Sequence, residues 1–168
     1  MSARRLQRVR TARGARAGLR LELRQRVRGW APPVRELRRW ASAALGARSA
    51  GRELGVCVVG SAESARLNGR FRGRRRPTNV LSFAPPPMPR GAPRRAVPLG
   101  ELVICPRVLR EEARAQDKAL RAHWAHLVVH GALHLLGYDH RRTEDARRME
   151  RREIAVLRRL GFANPYGS

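Results

Sequence analysis

The sequence predicts a single α+β domain in which a small mixed sheet of about four strands packs with about five helices. A chain of 168 residues has the length of one ordinary domain and is long enough to bury a core. Short alternating or continuous apolar segments, typical of strands, lie between longer segments of helical periodicity. Their order is strand, helix, strand, helix, strand, strand, helix, helix, helix, which favours helices packed against one sheet.

The N-terminal segment differs from the rest of the chain. Residues 1–17 are highly charged with little apolar periodicity, so we expect them to be poorly ordered and the domain to span residues 18–168. Residues 19–25 (LRLELRQ) alternate apolar and polar side chains, which predicts an edge strand. Pro32 and Pro33 then open a helix over VRELRRWASAAL, and the glycine that follows this segment ends it.

The middle of the chain continues this alternation. Strands are predicted at residues 55–60 (GVCVVG), 77–83 (PTNVLSF) and 100–105 (GELVIC). A helix follows the first of these strands and starts near Ser61 or near Ser64, either of which suits an N-cap. The Pro-rich residues 84–98 predict a long loop, which in a compact domain is usually functional or disordered.

Three predicted helices complete the domain. The first begins at Pro106, and the second, residues 120–136, is the most apolar helix and ends at Gly137. The third is amphipathic, opens at Thr143 with acidic residues in its first turn, and closes at Gly161. The apolar helix is therefore expected to lie at the centre of the helical layer.

The charge balance is strongly basic. The chain has 37 Lys and Arg against 13 Asp and Glu, a formal net charge of +24. Such a field attracts polyanions, with nucleic acids among the usual partners. Lys118 is the only lysine, however, and an excess of Arg together with Ala, Gly and Pro is also what biased coding composition produces. The charge supports a nucleic-acid partner without establishing one.

Several features bear on where the protein works. No segment approaches the roughly 20 apolar residues of a membrane span, and no hydrophobic core of a secretory signal is present near the N-terminus. The Arg-rich N-terminus is similar to a mitochondrial transit peptide, but the whole chain shares this bias. Cys57 and Cys105 lie in apolar segments and are expected to be buried and reduced. We expect a cytoplasmic monomer with no membrane partner.

The strongest chemical signal is a set of three histidines. His130 and His134 are four residues apart on the apolar helix, so both imidazoles project from one face. Gly137 can adopt the left-handed conformation that turns the chain back, which brings His140 towards the same ion. Three protein ligands leave a fourth tetrahedral position open, as in catalytic zinc sites. The spacing therefore predicts one zinc ion per chain at the end of the central helix.

The alternative is that these histidines only pack in the core. Burying three imidazoles on a Leu-rich helix without partners would cost several kcal/mol, which favours a metal. His126 and His130 also have the spacing of a ligand pair, but only the last helical turn is near the returning chain that carries His140. His126 is therefore expected to support the site from behind the ligands or to pack in the core.

The same ligand spacing occurs in metzincin proteases. Those enzymes carry Glu directly after the first histidine as the general base, and here that position is Gly131. Peptide hydrolysis is correspondingly disfavoured. Phosphodiester cleavage instead requires a Lewis acid and cations that offset the charge developing on the phosphate, and this chain is rich in arginine.

The sequence resembles the YbeY family of bacterial endoribonucleases. Residues 130–140 (HGALHLLGYDH) carry the family signature, and residues 76–83 (RPTNVLSF) match a second block that follows FRG at 71–73. The resemblance extends over roughly residues 54–166. It implies an α+β fold and metal-dependent, single-strand-specific cleavage of RNA. It also implies a role in 3′-end maturation of small-subunit (16S) rRNA and in ribosome quality control, with the ribosome or its small subunit and associated proteins as partners.

The resemblance also implies roles for individual residues. His130, His134 and His140 correspond to the zinc ligands, and Arg72 corresponds to an arginine that contacts the scissile phosphate. Three residues of the second block are expected to line the substrate cleft: Thr78, Asn79 and Ser82. Asp139 is a candidate hydrogen-bond partner of a ligand histidine or, less favoured, a general base.

Two other functions remain open at this stage. One is an assembly factor that binds rRNA or the ribosome and uses zinc mainly to stabilise its fold. The other is a metal-dependent hydrolase of a different substrate such as a peptide. The open coordination position favours an enzyme over the first, and Gly131 argues against the second.

Overall fold

The computed structural model describes residues 8–12, 18–93 and 98–167, with the backbone alone at 8–12. The strands in these ranges are β1 Arg8–Ala12, β2 Arg20–Gln25, β3 Glu53–Val58, β4 Val80–Phe83 and β5 Gly100–Ile104. The α-helices are α1 Val34–Leu45, α2 Ser61–Arg72, α3 Pro106–Ala115, α4 Leu120–Leu135 and α5 Thr143–Arg159. A turn of 3-10 helix at Gly46–Ser49 follows α1.

The strands form one mixed sheet in the order β1-β2-β3-β5-β4. β2, β3 and β5 are parallel neighbours, whereas β1 and β4 pair antiparallel with β2 and β5 at the two edges. The α+β class, the mixed sheet and the helices are therefore confirmed. The prediction that residues 19–25 form an edge strand is wrong, because Arg8–Ala12 pairs with them along their outer side.

The strand β1 was not expected within the N-terminal segment. Its sequence, RVRTA, lacks the alternation that predicts a strand, and its pairing comes from backbone hydrogen bonds to β2. The sheet consequently has one strand more than the four expected. The prediction that residues 1–17 are poorly ordered otherwise concerns residues 1–7 and 13–17, which lie outside the described residues.

The two faces of the sheet are covered differently. Alternate residues of the strands, such as Leu54 and Val56 of β3 and Leu102 of β5, face a large apolar core built with α1, α3, α4 and α5. Their neighbours on the opposite face, including Cys57 and Val103, form a smaller apolar cluster with α2. Cys57 and Cys105 are both buried and free, as expected.

The central helix α4 lies against β4 and β5 and between α1, α3 and α5. Its long buried face explains the apolar sequence that made it the most prominent predicted helix. None of the helices in the described ranges is both long and apolar enough to cross a membrane.

Helix α2 starts without a side-chain cap. Gly60 occupies the N-cap position and Ser61 is the first helical residue, so neither serine acts as the predicted cap. The hydroxyl of Ser64 instead donates to the carbonyl of Thr78 and accepts from its amide, both at 3.0 Å. This pair of hydrogen bonds attaches α2 to the segment that leads into β4.

Gly100, the first residue of β5, allows the closest backbone approach in this part of the sheet. Its φ is +130°, and a Cβ there would lie 2.3 Å from the carbonyl oxygen of Phe83 and 2.8 Å from Leu135 Cδ2. Gly100→Ala should therefore combine backbone strain with a clash and lower the free energy of unfolding by about 2–5 kcal/mol. Chemical denaturation followed by circular dichroism measures this change.

Gly91 provides the matched control for this substitution. It also has a positive φ, +83°, but a Cβ there would meet nothing within 4 Å. Gly91→Ala should cost about 1 kcal/mol from backbone strain alone. Equal losses in the two variants would contradict the close approach of β5 to Phe83.

Candidate metal centre

The three histidines of the predicted site meet at one point. His130 and His134 lie on the last two turns of α4, and His140 lies five residues beyond its end. Each offers a ring nitrogen, and these atoms all lie within 4.8 Å of one another. The two Nε2 atoms of His130 and His134 are 3.1 Å apart, and the rings of His134 and His140 have centroids 5.0 Å apart.

The chain returns to the helix through a short turn. Gly137 has a φ of +93°, the left-handed conformation that the sequence predicts at this position. The amide nitrogens of Gly137 and Tyr138 donate to carbonyl oxygens of the last helical turn. Beyond the turn, the carboxylate of Asp139 accepts a hydrogen bond from the backbone nitrogen of His140 at 2.7 Å, which holds the backbone of the third histidine.

A buried carboxylate lies behind the histidines. Glu153 of α5 is 0% exposed and accepts hydrogen bonds from His130 Nδ1 and from the hydroxyl of Tyr166, and His126 Nε2 lies 3.1 Å from Glu153 Oε2. Burial raises the pKa of Glu153, but the hydrogen bonds from His126 and His130 outweigh this effect and lower the pKa to about 2. The carboxylate is therefore ionised.

This contact determines which nitrogen of His130 is available. When Nδ1 donates a hydrogen bond to Glu153, the neutral tautomer of His130 carries its lone pair on Nε2, the atom that faces His134. Carboxylates that fix a ligand histidine in this way are a common part of metal sites. Glu153 therefore orients His130 in the tautomer that a metal requires.

His134 is held in its neutral form. Burial, together with the smaller effects of the charges of His130, His140 and Arg72, lowers the pKa of this imidazole to about 4. A neutral imidazole at pH 7 has a free lone pair. The ring thus needs no deprotonation before it binds a cation.

The geometry of the three nitrogens fits a transition-metal ion. Two nitrogens bound to one tetrahedral zinc at roughly 2.0–2.1 Å lie about 3.3 Å apart. The observed separation of 3.1 Å between His130 and His134 is close to this value. His140 is exposed, so the side of the site opposite Glu153 faces solvent and is open to a substrate.

Arg72 acts on this centre through its charge. It is the last residue of α2 and is exposed, and its charge is one of the causes that lower the pKa of His134. The contact of Arg72 with the scissile phosphate, which the family resemblance implies, stays a prediction. An arginine here is able to bind two oxygens of a phosphate group.

The three residues of the second motif have protein partners. The Ser82 hydroxyl donates to the carbonyl oxygen of Gly131 at 3.1 Å, beside His130. The Asn79 side-chain nitrogen donates to both oxygens of Glu112 at 3.1 and 3.2 Å, and Thr78 is held by Ser64 through its backbone. Their predicted contacts with substrate stay predictions, while each has a role in holding the segment that precedes or forms β4.

Gly131 explains why no general base follows the first histidine. It is buried in α4, and a Cβ at this position would lie 2.8 Å from Leu102 Cδ2 and 3.2 Å from Ser82 Oγ. The position faces the sheet, so a glutamate side chain has no room there. The chain therefore lacks the acid of the protease motif for a steric reason.

Glu153 is the site residue that the sequence analysis missed, because it is 13 positions beyond the last histidine. Asp139 was expected to be the carboxylate partner of a ligand ring, yet its contacts in the structure are the backbone of His140 and, at 3.4 Å, the side chain of Arg141. A signal for Glu153 was present in the sequence. The residue shares the apolar face of α5 with Met149, Val156 and Leu157, where a carboxylate needs a partner.

Comparisons with known proteins identify the family of this chain. The family model described as Endoribonuclease YbeY matches residues 29–161. An Endoribonuclease YbeY from Alkalilimnicola ehrlichii is 52% identical over 140 residues, which cover 80% of this chain and 82% of the relative. The solution structure of TM1509 from Thermotoga maritima is similar in fold, with a TM-score of 0.51 and 23% identity, over 88% of this chain and 99% of that chain. The chain therefore belongs to the YbeY endoribonuclease family.

Proposed function

We propose that the protein is a zinc-dependent, single-strand-specific endoribonuclease that matures the 3′ end of small-subunit rRNA and takes part in ribosome quality control. Family membership makes it an RNA-cleaving hydrolase. The observation that carries the proposal is the cluster of three histidines. The rRNA substrate, the association with the ribosome, the cytoplasmic location and the monomeric state follow from the sequence resemblance and the composition.

The donor set favours zinc among the possible ions. Three imidazole nitrogens with an open side suit a first-row transition metal, whereas magnesium and calcium prefer oxygen ligands. The carboxylate of Glu153 is within hydrogen-bond distance of His126, His130 and Tyr166, so it holds a ligand histidine in place. One ion per chain would occupy the point between His130, His134 and His140.

The chain's own residues divide the work of phosphodiester hydrolysis. Zinc, when bound, supplies Lewis acidity at the reacting phosphate. His130, His134 and His140 would hold it, with Glu153 keeping His130 in the required tautomer. Arg72 would donate to the nonbridging oxygens and offset the charge that develops on them.

Substitution of Arg72 tests the catalytic part of the proposal. Arg72→Ala should lower kcat for a single-stranded RNA spanning the 3′ end of small-subunit rRNA by about 100- to 1,000-fold, because a charged donor to the phosphate is lost. His134→Ala should abolish cleavage. Gel analysis of the products at matched zinc content measures both effects.

The control for these variants is Arg107→Ala, which removes an exposed arginine of α3 that pairs with Glu111. It should cleave as the wild type does. If folded His134→Ala and Arg72→Ala proteins also cleave normally, the activity does not come from this site. The zinc would then be structural and the protein an rRNA-binding or ribosome-binding factor.

Glu153→Gln tests how the ligands are held. The variant keeps the size of the side chain but removes the charge that orients His130, and the affinity for zinc should fall about 10- to 100-fold. Competition with a chromogenic chelator measures this affinity without reference to RNA cleavage. Glu150→Gln, an exposed residue one turn earlier on α5, should bind zinc as the wild type does. Equal affinities in the two variants would contradict the role of Glu153.

A further inference from the structure

An exposed phenylalanine lies directly before the arginine of the site. Phe71 of α2 is 56% exposed and is one of only four large hydrophobic side chains in the described ranges with such exposure. Its ring packs edge to face against Phe83 of β4, with centroids 4.9 Å apart and an interplanar angle of 71°. The guanidinium of Arg70 lies 5.3 Å from the centre of the Phe71 ring. Packing against Phe83 therefore buries only part of the Phe71 ring.

The two phenylalanines lie just across the edge strand from the metal centre. Successive residues of β4 point to opposite faces of the sheet. Ser82 accordingly contacts Gly131 of α4, next to His130, whereas Phe83 contacts Phe71 on the α2 side. Within the described chain no strand pairs with the outer side of β4. An RNA strand bound at the histidines therefore has to cross only β4 to reach Phe71 and Phe83.

The charge around Phe71 is not neutralised by the protein. Five exposed arginines at the end of α2 and in the loop after it make no ion pair in the part of the chain that the structure describes: Arg70, Arg72, Arg74, Arg75 and Arg76. By contrast, Arg24 and Arg26, which line the cavity beside Phe71, pair with Glu101 and Glu63. The positive charge that remains free for an anionic partner is therefore concentrated beside the aromatic ring.

A cavity adjoins the ring. It has a volume of about 290 Å³, and its lining combines apolar side chains such as Leu67, Phe71 and Phe83 with the ion pairs of Arg24 and Arg26. Small-molecule sites have volumes of roughly 300–1,000 Å³, so the space is at the lower end of that range. An aromatic wall, an adjoining cavity and flanking arginines together suit a nucleobase with its phosphates.

We infer that Phe71 is the residue on which an unpaired base of the RNA stacks, next to the phosphate held by Arg72. The inference rests on the proposed function and identifies what selects a single strand. In a duplex each base is stacked between its neighbours and paired, so it cannot reach the ring. An unpaired base stacks on the aromatic surface while the arginines of residues 70–76 bind the phosphates on either side.

Two substitutions separate stacking from packing. Phe71→Leu keeps an apolar contact with Phe83 but removes the aromatic face, whereas Phe71→Trp keeps an aromatic face. Phe71→Leu should weaken binding of a fluorescently labelled single-stranded RNA about 5- to 100-fold, since stacking one base contributes roughly 1–3 kcal/mol. Phe71→Trp should bind as the wild type does. Fluorescence anisotropy with zinc-loaded protein measures Kd, and cleavage assays measure KM and kcat.

An RNA series with one abasic position at a time locates the contact. The wild type should lose affinity at one position close to the cut, and Phe71→Leu should show no further loss there, since the two changes remove the same interaction. The rise in KM should exceed any fall in kcat. Trp30→Ala removes another exposed aromatic, one that packs on Trp124, and should leave Kd and the abasic profile unchanged.

The outcomes distinguish the inference from the function on which it rests. If the wild type cleaves RNA and Phe71→Leu has the same Kd and abasic profile, the stacking role is overturned and the endoribonuclease proposal stands. If the wild type binds RNA through Phe71 without cleaving it, the stacking role stands and the proposed catalysis fails. If the wild type neither binds nor cleaves single-stranded RNA, both are overturned.

Discussion

The organisation of the metal centre depends on one buried charge. Glu153 is fully buried, and an ionised carboxylate without partners would cost several kcal/mol in such a position. Its partners come from two other segments: His126 and His130 from α4, and Tyr166 from the residues after α5. The contacts that compensate the charge also fix how α5 packs on α4. The same interaction orients a ligand and joins the two helices.

Features that depend on neighbouring residues could be predicted from the sequence. His130, His134, Gly137 and His140 lie within eleven residues, and helical geometry followed by a left-handed glycine is enough to bring the three rings together. The helices and four of the strands likewise have periodicity of their own. The sequence of β1, RVRTA, has little periodicity, and the strand is defined by its backbone pairing with β2. It could not be found from a local pattern.

Features that depend on contacts between distant segments were missed or misplaced. Asp139 was chosen as a partner of the ligand rings because it is next to His140 in the sequence, yet Glu153 is the carboxylate that reaches His130. Nothing near the motif indicates which turn of α5 faces α4. The apolar stripe of α5 shows only that Glu153 is buried, and the identity of its partners requires the tertiary structure.

The structure also bears on how the arginine content should be understood. With 37 basic residues and only 13 acidic ones, most arginines must lack a partner whatever the protein does, so an unpaired arginine carries little information alone. Position is more informative. The run from Arg70 to Arg76 flanks an exposed aromatic ring and makes no ion pair in the described chain, whereas Arg24 and Arg26, which line the cavity beside that ring, pair with Glu101 and Glu63. Biased coding can supply arginines everywhere, but it does not explain an exposed phenylalanine among them beside a metal centre.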